Sequence, residues 1–170
     1  MNRHRTTSGI KKILVPTDFS SYSKYAIDYA ATLAKQLGDR IVLMHVIESL
    51  PYSVTDTFNV IDHRRVLEAS AESLLENLKQ GLAEKGLSVE TQLASGIPHR
   101  EILDKALGVG VDLIVMGTRG RTGVEHLVMG SVAEKVVRLS SCPVMTIPIP
   151  SRRRRTMPAQ SAGKSAVTLY

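Results

Sequence analysis

The sequence predicts an α/β fold, a single domain built on an open, parallel five-stranded sheet with helices on both faces. Three observations carry that expectation. Five short apolar runs alternate with longer segments of helical period, which is the signature of βαβ units. Two of the runs are almost continuously apolar, as strands covered on both faces are. The 170 residues, 43% of them hydrophobic, suffice for one well-cored domain and not for two.

The first run, Ile10-Lys11-Lys12-Ile13-Leu14-Val15-Pro16, reads as a strand that stops at a proline. In the helix after it, Tyr22, Ala26, Ala30, Leu33, Ala34 and Leu37 share a face, and Gly38 offers a left-handed stop. The second run is Arg40 to Ile47. Tyr52 to Ile61 then reads as a long polar loop, placed to act as a flap. Leu67, Ala71, Leu74, Leu75, Leu78 and Leu82 give the second helix its stripe, ending near Gly86. Leu87 to Leu93 alternates with period two, as a half-exposed edge strand does. Pro98 suits the first turn of a helix carrying Ile102, Leu103, Ala106 and Leu107. The fourth run is Val111 to Met116 and the fifth Pro143 to Ile147. Between them Val132, Val136, Val137 and Leu139 form the buried side of the last helix.

Charge is unevenly placed. The net +6 belongs to the ends: between Lys11 and Arg138, fifteen basic residues meet all sixteen acidic ones, for a net of −1. A folded nucleic-acid-binding face would carry a basic stripe, and none is expected here. Residues 1–9 are expected to be flexible, 10–148 to form the domain, and 149–170, with Arg152, Arg153, Arg154 and Arg155, to be a disordered tail. One cysteine, Cys142, excludes a disulfide framework and suits an inert thiol. The five histidines have no paired metal spacing. His45 reads as a satisfied interior residue, His126 as surface packing. No apolar run reaches the ~20 residues of a membrane span, and a cytoplasmic location is expected.

Ligands of doubly wound sheets bind beyond the carboxyl ends of the strands, where strand order reverses. The loops after the first and fourth strands, Thr17-Asp18-Phe19-Ser20-Ser21 and Gly117 to Gly130, are the lips of that crevice. The second holds Gly117, Gly120, Gly123 and Gly130 with Arg119 and Arg121, and a helix start at Ser131. Glycines let an anion approach the main-chain amides, and a helix start adds its positive end. Ser131 either caps that helix, donates its hydroxyl to a phosphate, or does both. The spacing G-x2-G-x9-G-S is neither a P-loop nor a dinucleotide fingerprint. By composition it arises by chance in roughly 0.6% of such chains.

Gly117-x2-Gly120-x9-Gly130-Ser131 after Ile114-Val115-Met116 resembles the nucleotide-binding signature of the universal stress proteins. The opening Ile13 to Ser20, the Leu43-Met44-His45-Val46 strand and the closing Ser141-Cys142-Pro143-Val144 extend the likeness over residues 10–148. The resemblance implies strand order 3-2-1-4-5 and ATP in the crevice, with Mg2+ or Mn2+ accompanying the triphosphate. It also implies a homodimer paired through the fifth strand, Val144 to Ile147. By position Asp18 would serve the adenosine end, with Pro16 and Thr17 shaping its loop, and the Val46 backbone would meet the adenine edge. Met116 and Gly117 would line the ribose and phosphate path. The amides of Gly120, Gly130, Ser131 and Val132 would hold the phosphates. Read from the loop itself, Arg119 and Arg121 are two fixed charges beside the expected phosphates that would discriminate for anions. The implied role is a nucleotide-dependent regulatory module in stress response, with at most slow ATP hydrolysis or self-phosphorylation and no evident catalytic residue. The alternative is an interaction protein without nucleotide, whose Arg152–Arg155 run contacts nucleic acid or an anionic surface. The arginine-rich tail is outside the family pattern.

Overall fold

A computed structural model of the chain describes residues 10–48, 57–118 and 129–148. Among these residues nine elements alternate: β1 (Lys12–Pro16), α1 (Ser21–Leu37), β2 (Arg40–Glu48), α2 (Thr57–Ala83), β3 (Ser88–Gly96), α3 (Pro98–Gly108), β4 (Leu113–Gly117), α4 (Ser131–Leu139) and β5 (Val144–Ile147). All strand pairings are parallel and the order is β3-β2-β1-β4-β5. The α/β class and the strand order are as expected.

Strand alternation divides the core between two faces. Ile13, Val15, Ile41, Leu43, Leu113 and Val115 pack beneath α1 and α2. Leu14, Val42, Met44, Ile114 and Met116 pack beneath α3 and α4. Central strands so covered must be apolar at every position, which is why β4 is buried throughout. Each fully buried Leu or Ile stabilises the fold by about 1.5–3 kcal/mol. β3, at the edge, is only partly covered, as its period-two pattern predicts.

Caps follow local chemistry. Ser20 caps α1, its side chain accepting from the Ser23 N–H, and Gly38 closes that helix at φ 73, donating to the Ala34 carbonyl. Proline opens α3.

The helical stripes are narrower than the sequence suggests. Leu37, Leu67, Leu74, Leu107, Val137 and Leu139 are exposed, and Ala133 joins Val136 as the buried pair of α4. The expected loop to Ile61 is shorter, because α2 already begins at Thr57; residues 49–56 lie outside the described residues. At 27 residues α2 is about 40 Å long, and among residues 64–70 none is buried. The exposed Leu67 lies in that stretch. Among the described residues no helix is long and apolar enough to cross a membrane.

Candidate functional site

The strand register opens a crevice at the switch point. β1 pairs with β4 only at Ile13↔Leu113 and Leu14↔Ile114. Beyond Leu14, β1 stays with β2 as far as Pro16↔Met44, while β4 stays with β5 as far as Gly117↔Ile147. Two neighbouring strands thus part company over their last residues, and the gap between them leads out past their carboxyl ends.

One wall is apolar. Val46, Met116 and Val132, three of the expected site residues, belong to a single cluster that also includes Met129. Pro16 and Gly117 are buried at the ends of their strands. At the lip, Asp18 accepts at Oδ1 from the Ser20 N–H (3.1 Å) and the Ser20 hydroxyl (2.6 Å). Thr17 is buried, and its N–H donates to the Met44 carbonyl at 2.8 Å. A carboxylate at this lip repels phosphates, so an anionic ligand would orient its charge away from Asp18.

The opposite end is the start of α4. Its N-cap is Gly130, not Ser131, and no side chain caps it. Gly130 has φ −73 and ψ 154, a conformation open to any residue, so its glycine is not needed for backbone freedom. Its own N–H donates to the Thr118 carbonyl at 2.7 Å, which corrects its expected place among the open amides. The Glu134 N–H donates to the Gly130 carbonyl at 2.9 Å, closing the first helical turn. Helix geometry gives the N–H groups of Ser131, Val132 and Ala133 no intrahelical acceptor, and they carry the positive end of the dipole. Arg119, Gly120, Arg121 and His126 lie outside the described residues.

Behind the lip, on the α1 and α2 side, sits a polar group that sequence reasoning treated only as core. His45 is buried, with Nδ1 2.8 Å from the Thr17 carbonyl. Phe19, at φ 63, stacks on its ring. Nothing in the sequence flags a left-handed phenylalanine.

Two titrations are displaced elsewhere. His99, in the first turn of α3, is held below its ordinary value by burial, then by Lys135 and Arg100. Asp39 is pushed up by burial and then by Asp112, and its buried Oδ2 has no hydrogen-bond partner. It lines a shallow cavity of about 580 Å3 with Lys11, Arg40 and Ser88, at the amino-terminal pole of the sheet, away from the crevice.

No three His, Cys, Asp or Glu side chains converge on a metal site among the described residues. A divalent ion accompanying a triphosphate would take its ligands chiefly from phosphate and water.

Comparison with known proteins agrees with this architecture. The sequence model of the universal stress protein family matches residues 9–148. Universal stress protein MJ0577 of Methanocaldococcus jannaschii is 31% identical over 152 residues, covering 81% of this chain and 94% of that protein. Universal stress protein YxiE of Bacillus subtilis is 38% identical over 144 residues, covering 80% and 97%. The solved structure of MJ0577 superposes with a TM-score of 0.72 over 84% of this chain and 98% of that one. Two solved relatives share the fold at lower identity. One universal stress protein was solved in complex with cAMP (22% identical, TM-score 0.63, 83% and 98% covered). The other, from Arabidopsis thaliana, has AMP bound (24%, TM-score 0.61, 84% and 94%). With the family matched from end to end of the described fold, the chain belongs to the universal stress protein family.

Proposed function

We propose that this chain binds an adenine nucleotide, ATP foremost, in the crevice between β1 and β4, and acts as a nucleotide-dependent regulatory module. The observation that carries this reading is the start of α4. A nine-residue helix opens toward the crevice with glycine at its N-cap and no side chain on its first amides. An N-cap serine, aspartate or asparagine would stabilise the helix better, so the missing side chain is explained by a ligand that needs the space and the donors. The apolar wall of Val46, Met116 and Val132 suits a purine ring, and Asp18 at the far lip orients the phosphates toward α4. The relatives with AMP and cAMP bound support adenine as the base.

The site roles follow: Pro16, Thr17 and Asp18 at the adenosine end, Val46 at the adenine edge, Met116 and Gly117 along the ribose path. Ser131 and Val132 hold phosphate through their amides, and Gly130 keeps the approach clear. Gly120 is assigned to the phosphate end from the sequence signature, and Arg119 from its charge in the same loop. Mg2+ or Mn2+ enters with the triphosphate, as its counter-charge.

β5 stands at the sheet edge with Val144 to Ile147 only partly covered. Pairing with a second copy would satisfy that edge. Residues 10–148 are assigned to the domain and the arginine tail to a separate role.

The test is nucleotide extraction from native protein followed by calorimetry of the full chain with AMP, ADP and ATP. A bound adenine nucleotide whose affinity falls on Gly117→Val supports the reading. Absence of any nucleotide, with salt-sensitive nucleic-acid binding lost on deleting 151–170, supports the interaction-protein alternative instead.

A further inference from the structure

Thr17, the residue that leads from β1 into the Asp18 turn, has all its polar atoms engaged. Its N–H donates to Met44, and its hydroxyl donates to the Ser23 hydroxyl at 3.0 Å and accepts from the Phe19 N–H at 3.0 Å. Its carbonyl meets His45 Nδ1 at 2.8 Å. A carbonyl only accepts, so that ring nitrogen carries the proton.

His45 and Val46 are consecutive on β2 and point to opposite faces of the sheet. Val46 stands in the crevice wall and His45 stands behind it, beside the cluster of Ile41 and Leu43. Phe19 completes the arrangement. A non-glycine residue in the left-handed region costs about 1–2 kcal/mol. It persists where its surroundings over-determine it. Here they do so three ways: the bond to the Thr17 hydroxyl, the packing of the Phe19 side chain on the core, and the His45 ring at a centroid distance of 4.4 Å and 36°. Asp18 lies between these two pinned residues.

We propose, on the nucleotide-binding reading above, that His45 is the positioning residue for the adenosine end of the crevice. From behind the sheet it holds the Thr17 carbonyl and the Phe19 ring, and so fixes where Asp18 stands. It touches no ligand.

Two variants of the full chain separate its two contacts. His45→Phe keeps a ring under Phe19 and drops the donor. His45→Asn places an amide nitrogen near the Nδ1 position and drops the stack. In His45→Phe, amide exchange at Phe19 and Ser20 accelerates at least tenfold while the β4 amides keep their protection. AMP, ADP and ATP weaken by one common factor of about ten, the size of one buried acceptor left unpaired. His45→Asn recovers most of that loss. Phe19→Gly, which removes both stack and strain, weakens the three nucleotides by a common factor as well.

Unchanged exchange and unchanged affinities in His45→Phe would overturn the assignment. So would a loss that grows from AMP to ATP, which places the effect at the phosphates, or exchange that rises across the whole sheet. If the unmodified chain binds none of the three nucleotides, the adenosine-end role falls together with the functional reading. The exchange data then show whether His45 pins the turn, so the two failures are told apart.

Discussion

Gly130→Asp turns the reasoning about α4 into two measurements of opposite sign. The observed φ and ψ at Gly130 already suit an N-cap aspartate. Its carboxylate would accept from the N–H of Val132 or Ala133 and sit at the positive end of the helix. The gain over glycine is a few tenths of a kcal/mol for the cap and about 0.3–1 kcal/mol for the dipole. Taken together, about 1 kcal/mol of added stability raises Tm by roughly 2–4 °C in a chain of this size. For ATP the change is adverse twice over. The carboxylate occupies the amides the phosphates need, and at ~4 Å from a phosphate oxygen it is repelled by up to about 4 kcal/mol at the effective dielectric of a protein surface. A hundredfold or greater loss of ATP affinity is the expected outcome, about 2.8 kcal/mol. Scanning calorimetry without nucleotide and titration calorimetry with ATP read the two effects on one sample. A variant that gains stability and still binds ATP like the parent would refute the placement of phosphates at α4.

Three further outcomes follow from the same structure. Asp39 has a folded-state pKa raised above its usual 3.8 by burial and by Asp112. The stability of its protonated form is therefore fully present below the unfolded value and lost as pH rises through the folded one. Asp39→Asn is expected to stabilise by on the order of 1 kcal/mol at pH 7 and by nothing near pH 3; urea titrations across that range check it, and a pH-independent difference would contradict it. Gly38→Ala places a side chain at φ 73 and should cost about 1 kcal/mol, seen as a Tm lower by roughly 2–4 °C. Deleting 151–170 should leave Tm and ATP affinity within experimental scatter, since among the described residues the core clusters are built from elements that end at Ile147.

The strands were easier to read than the helices, for a physical reason. A strand covered on both faces must be apolar at nearly every position, so Val42, Leu43, Met44 and Leu113 to Met116 announce themselves. A helix stripe shows which side faces inward but not where the neighbouring element ends. In α4 only Ala133 and Val136 are buried while Val137 and Leu139 stay exposed, and in α2 Leu67 is exposed although Ala71, Leu75 and Leu82 are buried. At the site, Val46, Met116 and Val132 are named through the family resemblance, and all three pack in the core cluster beneath α3 and α4. Of the roles open to Ser131, capping is excluded because glycine occupies the N-cap and Ser131 is already helical. Phe19 and Asp39 were not legible. The left-handed turn at Phe19 is held by Thr17, just past the end of β1, and by His45 on β2. The upward shift at Asp39 comes from burial and then from Asp112, which stands just before β4 as Asp39 stands just before β2.

Amide chemical shifts of the full chain, followed through an ATP titration, bear on the nucleotide assignment at residue resolution. Saturable shifts concentrated at Asp18, Val46, Ser131 and Val132 are the predicted result. Shifts absent at millimolar adenine nucleotide, or gathered instead around Asp39 at the other pole of the sheet, would contradict it.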